Sequence, residues 1–79
     1  MKLPFRNRLS TPLTIFIEPH CDQYEVAFGG EAVITLEDGK PHSIDIHPDN
    51  WISIWNEGKA LAQVEIFDNY QSLSQARKR

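Results

Sequence analysis

Residues 13–18 read LTIFIE and determine the fold class of the chain. Leu13, Ile15 and Ile17 occupy every second position, and this period of two places them on one face of a β-strand. Pro19 ends the segment, because proline cannot donate to a sheet ladder. Segments of the same kind, rich in β-branched and aromatic residues, recur at intervals of about ten residues between Gly, Pro, Asp and Asn. The pattern predicts an all-β domain.

Applied along the whole chain, this alternation predicts six strands. They span residues 13–18, 24–28, 31–36, 43–47, 51–55 and 60–67. Gly29 and Gly30 tolerate positive φ, so we expect the second and third strands to form a tight hairpin. Short connections favour a meander of such hairpins. A chain of 79 residues has room for one core, and we predict a small six-stranded antiparallel sandwich or a partly open barrel.

The charges divide the chain into three parts. All 11 acids lie between residues 9 and 76 with only two lysines, which gives this body a net charge of −9. Six further Lys and Arg residues lie at the two ends. We therefore predict a basic N-terminal arm over 1–9, a β domain over 10–69, and a basic C-terminal tail over 70–79 that is a short helix or disordered. Either arm could lie against an acidic surface of its own or a neighbouring subunit, or extend into solvent as a free tail.

Composition argues against several partners and compartments. An acidic body repels the phosphate backbone, so we expect no nucleic-acid binding. No segment approaches the roughly 18 apolar residues of a membrane span, and no secretory signal precedes the strands, so we expect no membrane association. Cys21 is the single cysteine and excludes an internal disulfide. We expect a soluble cytoplasmic protein.

The residues that could bind a metal are scattered along the chain. They are His20, Cys21, Asp22, His42 and His47. They lack the paired spacing of zinc sites, such as CxxC or HxxxH. We predict neither a metal nor another cofactor.

Residues 39–42, which read GKPH, have the Gly-x-x-His spacing of the second conserved motif of cupins, and this stretch resembles that family. The resemblance implies a cupin-like roll as an alternative fold and His42 as the one ligand that could be carried over. The family's first motif, a His-x-His pair with a glutamate, has no counterpart before Gly39.

Residues 43–47 contain the side-chain types of a catalytic triad. Ser43, Asp45 and His47 lie on one face of the predicted strand. The chain has neither a nucleophile elbow nor a glycine-rich oxyanion loop, so we predict a solvated strand face and no enzymatic activity.

A second apolar surface is the main functional signal in the sequence. If Ile52 and Ile54 face the core, the indoles of the same strand face outward. The residues of this candidate interface or ligand platform are Trp51, Trp55, Phe16, Leu61 and Phe67. So short a chain cannot bury both faces of its sheet, and we predict a homo-oligomer, a binding or assembly module that associates through this apolar face. A different protein is the other partner that this surface would suit.

Two other functions remain open at this point. Exposed Trp pairs suit stacking on sugars, which makes a small-molecule or carbohydrate-binding protein the main alternative. A metal-dependent, cupin-like version of it would use His42 and His47. The acidic body also fits a nucleic-acid mimic that binds a basic protein.

Overall fold

The computed structural model describes residues 1–67, and these form seven strands in two sheets. The strands are β1 Lys2–Arg6, β2 Leu13–Glu18, β3 Asp22–Val26, β4 Glu31–Thr35, β5 His42–His47, β6 Trp51–Asn56 and β7 Gln63–Phe67. One sheet has three strands in the order β1-β4-β7, and the other has four in the order β3-β2-β6-β5. The protein is thus an all-β sandwich, as predicted, and its strands do not close into a barrel.

The buried core confirms the predicted alternation in the central strands. It consists of Ile15, Ile17, Val26, Ala32, Ile34, Leu36, Ile52 and Ile54. Leu3, Phe5, Leu13, Tyr24, Ala62 and Val64 pack against it. Every second side chain of the central strands therefore points into one shared core, as expected for a fold of two packed sheets.

The hairpin predicted at Gly29-Gly30 is wrong. Strand β3 pairs with β2, whereas β4 pairs with β1 and β7, so the two predicted hairpin partners lie in different sheets. Asn7 explains the difference, because its backbone accepts from Gly29 N–H and donates to Gly30 O. The glycines pair with the end of β1, and the chain crosses between layers. Phe28, assigned to the strand from sequence, is exposed instead.

The connectivity also departs from a meander. Only the β2–β3 and β5–β6 pairs join strands that follow one another in the chain. Strands β2 and β6 pair in parallel, with Thr14 opposite Trp51 and Ile17 opposite Ile54. The other four pairs are antiparallel. A parallel pair needs a long crossover, and here β3, β4 and β5 lie between its two members.

The seventh strand lies within the segment predicted to be a basic arm. In β1, Leu3 and Phe5 pair with Ile34 and Ala32 and pack on the core. Arg6 alternates with them, and its Nε lies 3.0 Å from a carboxylate oxygen of Glu31. The basic residues in 1–9 led to the prediction of an arm, because only Leu3 and Phe5 of this strand pack on the core.

Strand β5 is the other departure from the predicted pattern. Ile44 and Ile46 lie opposite Ile54 and Ile52 and point to the inner side of the sheet, as the alternation predicts. They are nevertheless 40% and 85% exposed. The three-stranded sheet leaves this edge of the four-stranded sheet without a facing strand.

The last predicted strand and the tail complete the comparison. The strand expected over 60–67 is shorter and begins at Gln63. The tail predicted over 70–79, together with the last residues of the predicted β domain, lies outside the described residues. In the described part of the chain no helix is long and apolar enough to cross a membrane.

Candidate functional site: the outer face of the four-stranded sheet

The outer face of the four-stranded sheet, here called the aromatic face, is lined by the side chains that alternate with the core. Register and alternation assign it Thr14, Phe16, Glu18, Gln23, Glu25, Ser43, Asp45, His47, Trp51, Ser53 and Trp55. Three of these are large aromatic residues and several others are acids or amides. The face is therefore mixed in polarity, whereas the buried centre of the inner side is aliphatic.

Trp51 is the first residue of β6, at one end of this face, and is held by aromatic contacts. The His47 ring stacks on the indole, with centroids 3.6 Å apart and planes only 5° from parallel. The Phe16 ring of β2 lies nearly perpendicular to it, with centroids 5.3 Å apart and an angle of 81° between the planes. His47 Nε2 is 2.9 Å from Ser53 Oγ and forms a hydrogen bond with it. These contacts fix the half-buried indole before any ligand arrives.

An open groove of about 470 Å³ lies beside the indole. Its lining combines two aromatic rings with two carboxylates, a hydroxyl and an amide: Thr14, Phe16, Glu18, Gln23, Asp49 and Trp51. Aromatic area together with a few polar groups is the usual composition of a small-molecule site.

The β5–β6 turn brings Asp49 to the groove. Asp49 and Asn50 both adopt left-handed backbone conformations, with φ of 68° and 65°. Asp and Asn enter this region at lower cost than other non-glycine residues, and a tight turn between antiparallel strands requires it. The Asn50 carbonyl then accepts from Thr14 N–H. This bond anchors the turn to the first residue of the β2–β6 register.

The electrostatics of the aromatic face are one-sided. None of the four strands contains Lys or Arg, whereas Glu18, Glu25 and Asp45 all lie on the outer face. Lys2 and Arg6 belong to the other sheet. The groove therefore presents negative charge and hydrogen-bond acceptors to an incoming ligand.

A thiol lies beside the groove, at the β2–β3 turn. Cys21 is exposed, and its Sγ donates to a carboxylate oxygen of Glu18 at 3.3 Å. That hydrogen bond, followed by the charge of the same carboxylate, raises the pKa of the thiol, with smaller contributions from desolvation and from Asp22. Raising the pKa lowers the fraction of reactive thiolate.

The five residues predicted from sequence to form one platform do not share a surface. Phe16, Trp51 and Trp55 lie on the aromatic face, where Trp55 is 44% exposed. Phe67 pairs with Glu31 on the outer side of the three-stranded sheet. Leu61 lies in the connection before β7. The predicted apolar face is thus a smaller, partly acidic one.

The residues considered for metal binding and catalysis are also separated. His42 lies opposite Asn56 on the inner side of β5, whereas His47 lies on the outer side, so the two cannot bind one ion. Residues 1–67 contain no group of three or more potential metal-binding side chains. Ser43, Asp45 and His47 do share the outer side of β5, but the His47 imidazole forms a hydrogen bond with Ser53 of β6.

Comparison with known proteins adds no family to this description. No protein-family description matches the chain, and neither the curated proteins nor the solved structures include a significant match.

Sequence analysis missed four of the six residues that line the groove. Thr14 and Glu18 share the parity of Phe16 and could have been found from that strand alone. Gln23 and Asp49 could not, because their position depends on the β2–β3 register and on the left-handed turn.

Proposed function

We propose that this protein is a non-enzymatic binding module whose groove beside Trp51 binds a neutral or cationic carbohydrate. One observation supports the proposal above all: two aromatic rings and several hydrogen-bonding side chains converge on one open groove of the aromatic face. This was the alternative function in the sequence analysis. The geometry now favours it over association through the same face.

The lining matches the two surfaces of a sugar ring. The axial C–H groups of a pyranose pack on aromatic faces, here that of Phe16 and the face of Trp51 opposite the stacked His47 ring. Its hydroxyls donate to acceptors such as the Glu18 and Asp49 carboxylates, and the Gln23 amide both donates and accepts. An ammonium group on the sugar would add charge-assisted bonds to the carboxylates.

The same charges argue against other occupants. A phosphorylated or sulfated ligand would find no Lys or Arg on the strands of this sheet. A second copy placed on the aromatic face would bring two acidic surfaces together, because the strands of this sheet contain no Lys or Arg to pair with Glu18, Glu25 and Asp45. Like charges across an interface oppose association.

The direct experiment is a titration with three soluble probes followed by tryptophan fluorescence and two-dimensional NMR. Cellohexaose is neutral, a chitosan hexamer is cationic, and oligogalacturonate is anionic. We expect the neutral or the cationic probe to shift the Trp51 indole resonance. The anionic probe should produce no shift at the same concentration.

Matched variants separate the groove from the rest of the surface. Phe16→Ala and Gln23→Ala should each weaken binding about fivefold, because an aromatic or hydrogen-bond contact contributes roughly 1 kcal/mol and 1.4 kcal/mol corresponds to a factor of ten. Phe67→Ala and Gln63→Ala change the same residue types on the other sheet and should leave affinity unchanged. The proposal fails if no probe shifts Trp51, or if the control variants weaken binding equally.

A further inference from the structure

The outer edge of β5 has unpaired main-chain groups. The Glu57 N–H donates to the Pro41 carbonyl at 3.2 Å. Pro41 and Glu57 are therefore a hydrogen-bonded pair of the antiparallel β5–β6 ladder. Alternation then directs the main-chain groups of Ser43, Asp45 and His47 toward β6. Those of His42, Ile44 and Ile46 point away from the sheet. Three consecutive pairing positions are therefore open along one edge.

The side chains at these open positions are also uncovered. Ile44 and Ile46 project from the inner side of the four-stranded sheet, where their counterparts on β6 are buried. The Asn7 amide donates to the Val26 carbonyl and so links β1 to the end of β3. Strands β1 and β3 therefore lie at the same edge of the sandwich. From that edge, the three strands β1, β4 and β7 cover β3, β2 and β6 and do not reach β5.

The edge of β5 lacks the features that prevent strand addition. The equivalent positions on the free edge of β1 are Lys2, Pro4 and Arg6, because Leu3 and Phe5 bond inward to β4. Lysine, arginine and proline are the residues by which natural edges avoid pairing. Strand β5 has none of them between His42 and His47, and none of its side chains on the inner side of the sheet is acidic.

We propose that β5 pairs antiparallel with β5 of a second copy, about a two-fold axis that passes midway between the two copies of Ile44. In this register Ile44 lies opposite the partner's Ile44, and His42 lies opposite the partner's Ile46. All three are outward-bonding positions, so each pair exchanges two N–H···O=C bonds. The same residues place their side chains together on the inner side, where the isoleucines cover one another.

The charges select this register over its neighbour. With the axis at Ile44, the Asp45 carboxylate lies opposite the partner's Ser43 hydroxyl, which can donate to it. Sliding one strand by two residues in one direction would place Asp45 opposite the partner's Asp45. Like charges directly across a ladder are destabilising. An isologous interface needs such self-complementarity, and the segment 42–47 provides it.

Pairing at this edge has a consequence for the groove. The two four-stranded sheets become one continuous sheet, and both aromatic faces lie on the same side of it. The dimer leaves Trp51 and its groove accessible, in contrast to association through the aromatic face itself.

Light scattering coupled to size exclusion, run over a range of concentrations, tests the dimer. We expect a species of twice the 9.1 kDa chain mass at high concentration. Ile46→Lys should raise the dissociation constant at least tenfold, because it places an unpaired charge on the inner side of the sheet, within the proposed interface. Phe28→Lys makes the same type of change at another exposed apolar residue and should leave it unaltered.

A backbone variant distinguishes strand pairing from a general apolar contact. Ile44→Pro removes an N–H that points away from β6, so the protomer keeps its ladder while the dimer loses two bonds about the axis. Ile44→Ala retains that N–H and should weaken the dimer less than proline does. In hydrogen exchange, the amides of Ile44 and Ile46 should gain protection as concentration rises. A monomer at every concentration, or a dimer unaffected by Ile46→Lys and Ile44→Pro, would overturn the proposal.

Discussion

Trp51 illustrates how single residues prepare the aromatic face. Its indole is fixed by the stacked His47 ring and by the perpendicular Phe16 ring. Aromatic pairs of this kind contribute about 0.5–1.5 kcal/mol each. A ring that is already ordered loses little conformational freedom when a ligand binds, and this preorganisation favours affinity. The groove is thus formed by intramolecular packing rather than by the ligand.

Glu18 has two contacts that can be separated experimentally, since it lines the groove and accepts from Cys21. Because its carboxylate raises the pKa of the thiol, Cys21 should react slowly with a thiol reagent near neutral pH. Glu18→Gln removes the negative charge, so the pKa should fall and the rate at pH 7.5 should rise several-fold. The measurement is the rate of maleimide labelling against pH.

Asp22→Asn is the control for this experiment. Asp22 is the smallest of the causes of the shift, and its removal should accelerate labelling less than Glu18→Gln does. A pH–rate profile that does not move in Glu18→Gln would contradict the hydrogen bond between the thiol and the carboxylate.

At the scale of elements, β5 and β6 show that the same pattern can have two outcomes. Both strands alternate isoleucine with polar or aromatic residues, and Ile46 lies opposite Ile52. The β6 isoleucines are buried because β6 lies between two other strands and beneath the second layer. Strand β5 has a neighbour on one side only. Position in the sheet, and not composition, determines the energetic contribution of each isoleucine.

Truncation should reveal this difference directly. Ile54→Ala removes a completely buried side chain and should lower the free energy of unfolding by about 2–5 kcal/mol. Ile46→Ala, made at a residue 85% exposed, should change it by less than about 0.5 kcal/mol. Urea unfolding at low protein concentration, where a dimer would dissociate, is the appropriate measurement. Equal losses in the two variants would show that β5 is covered.

At the scale of the whole molecule, Asn7 joins the two layers. It is buried, and its amide donates to the carbonyls of Thr11 and Val26 at 2.9 and 3.0 Å. Its side-chain oxygen accepts from Leu9 N–H. One side chain therefore satisfies polar groups from the end of β1, the approach to β2 and the end of β3.

Replacing this residue should affect the stability of the entire domain. Asn7→Ala leaves two carbonyls and one N–H without their partner, and we expect a loss of about 2–3 kcal/mol in the free energy of unfolding. Thermal unfolding should remain a single transition at a midpoint lower by about 10 °C or more. Gln63→Ala, at an exposed amide, should leave the midpoint within a degree or two. An unchanged midpoint in Asn7→Ala would refute this role.

The sequence by itself determined the two faces of the central strands. Period-two alternation in segments 13–18 and 51–55 grouped Ile15 with Ile17 and Ile52 with Ile54, because that alternation is a local property of an extended chain, and both groups belong to the core. It also placed Phe16, Trp51 and Trp55 on the opposite side. These three residues were the part of the candidate site that local pattern could reveal.

Only the tertiary structure decided which strands pair and which faces are covered. The Gly29-Gly30 segment had the composition of a hairpin, yet the backbone of Asn7, distant in sequence, binds both glycines and directs β4 to the other sheet. Layer assignment in turn placed Gln23 and Asp49 beside Trp51 and left Ile46 exposed. Pairing and coverage depend on contacts between segments far apart in the chain, and the free energy of such contacts is not encoded in the periodicity of any one of them.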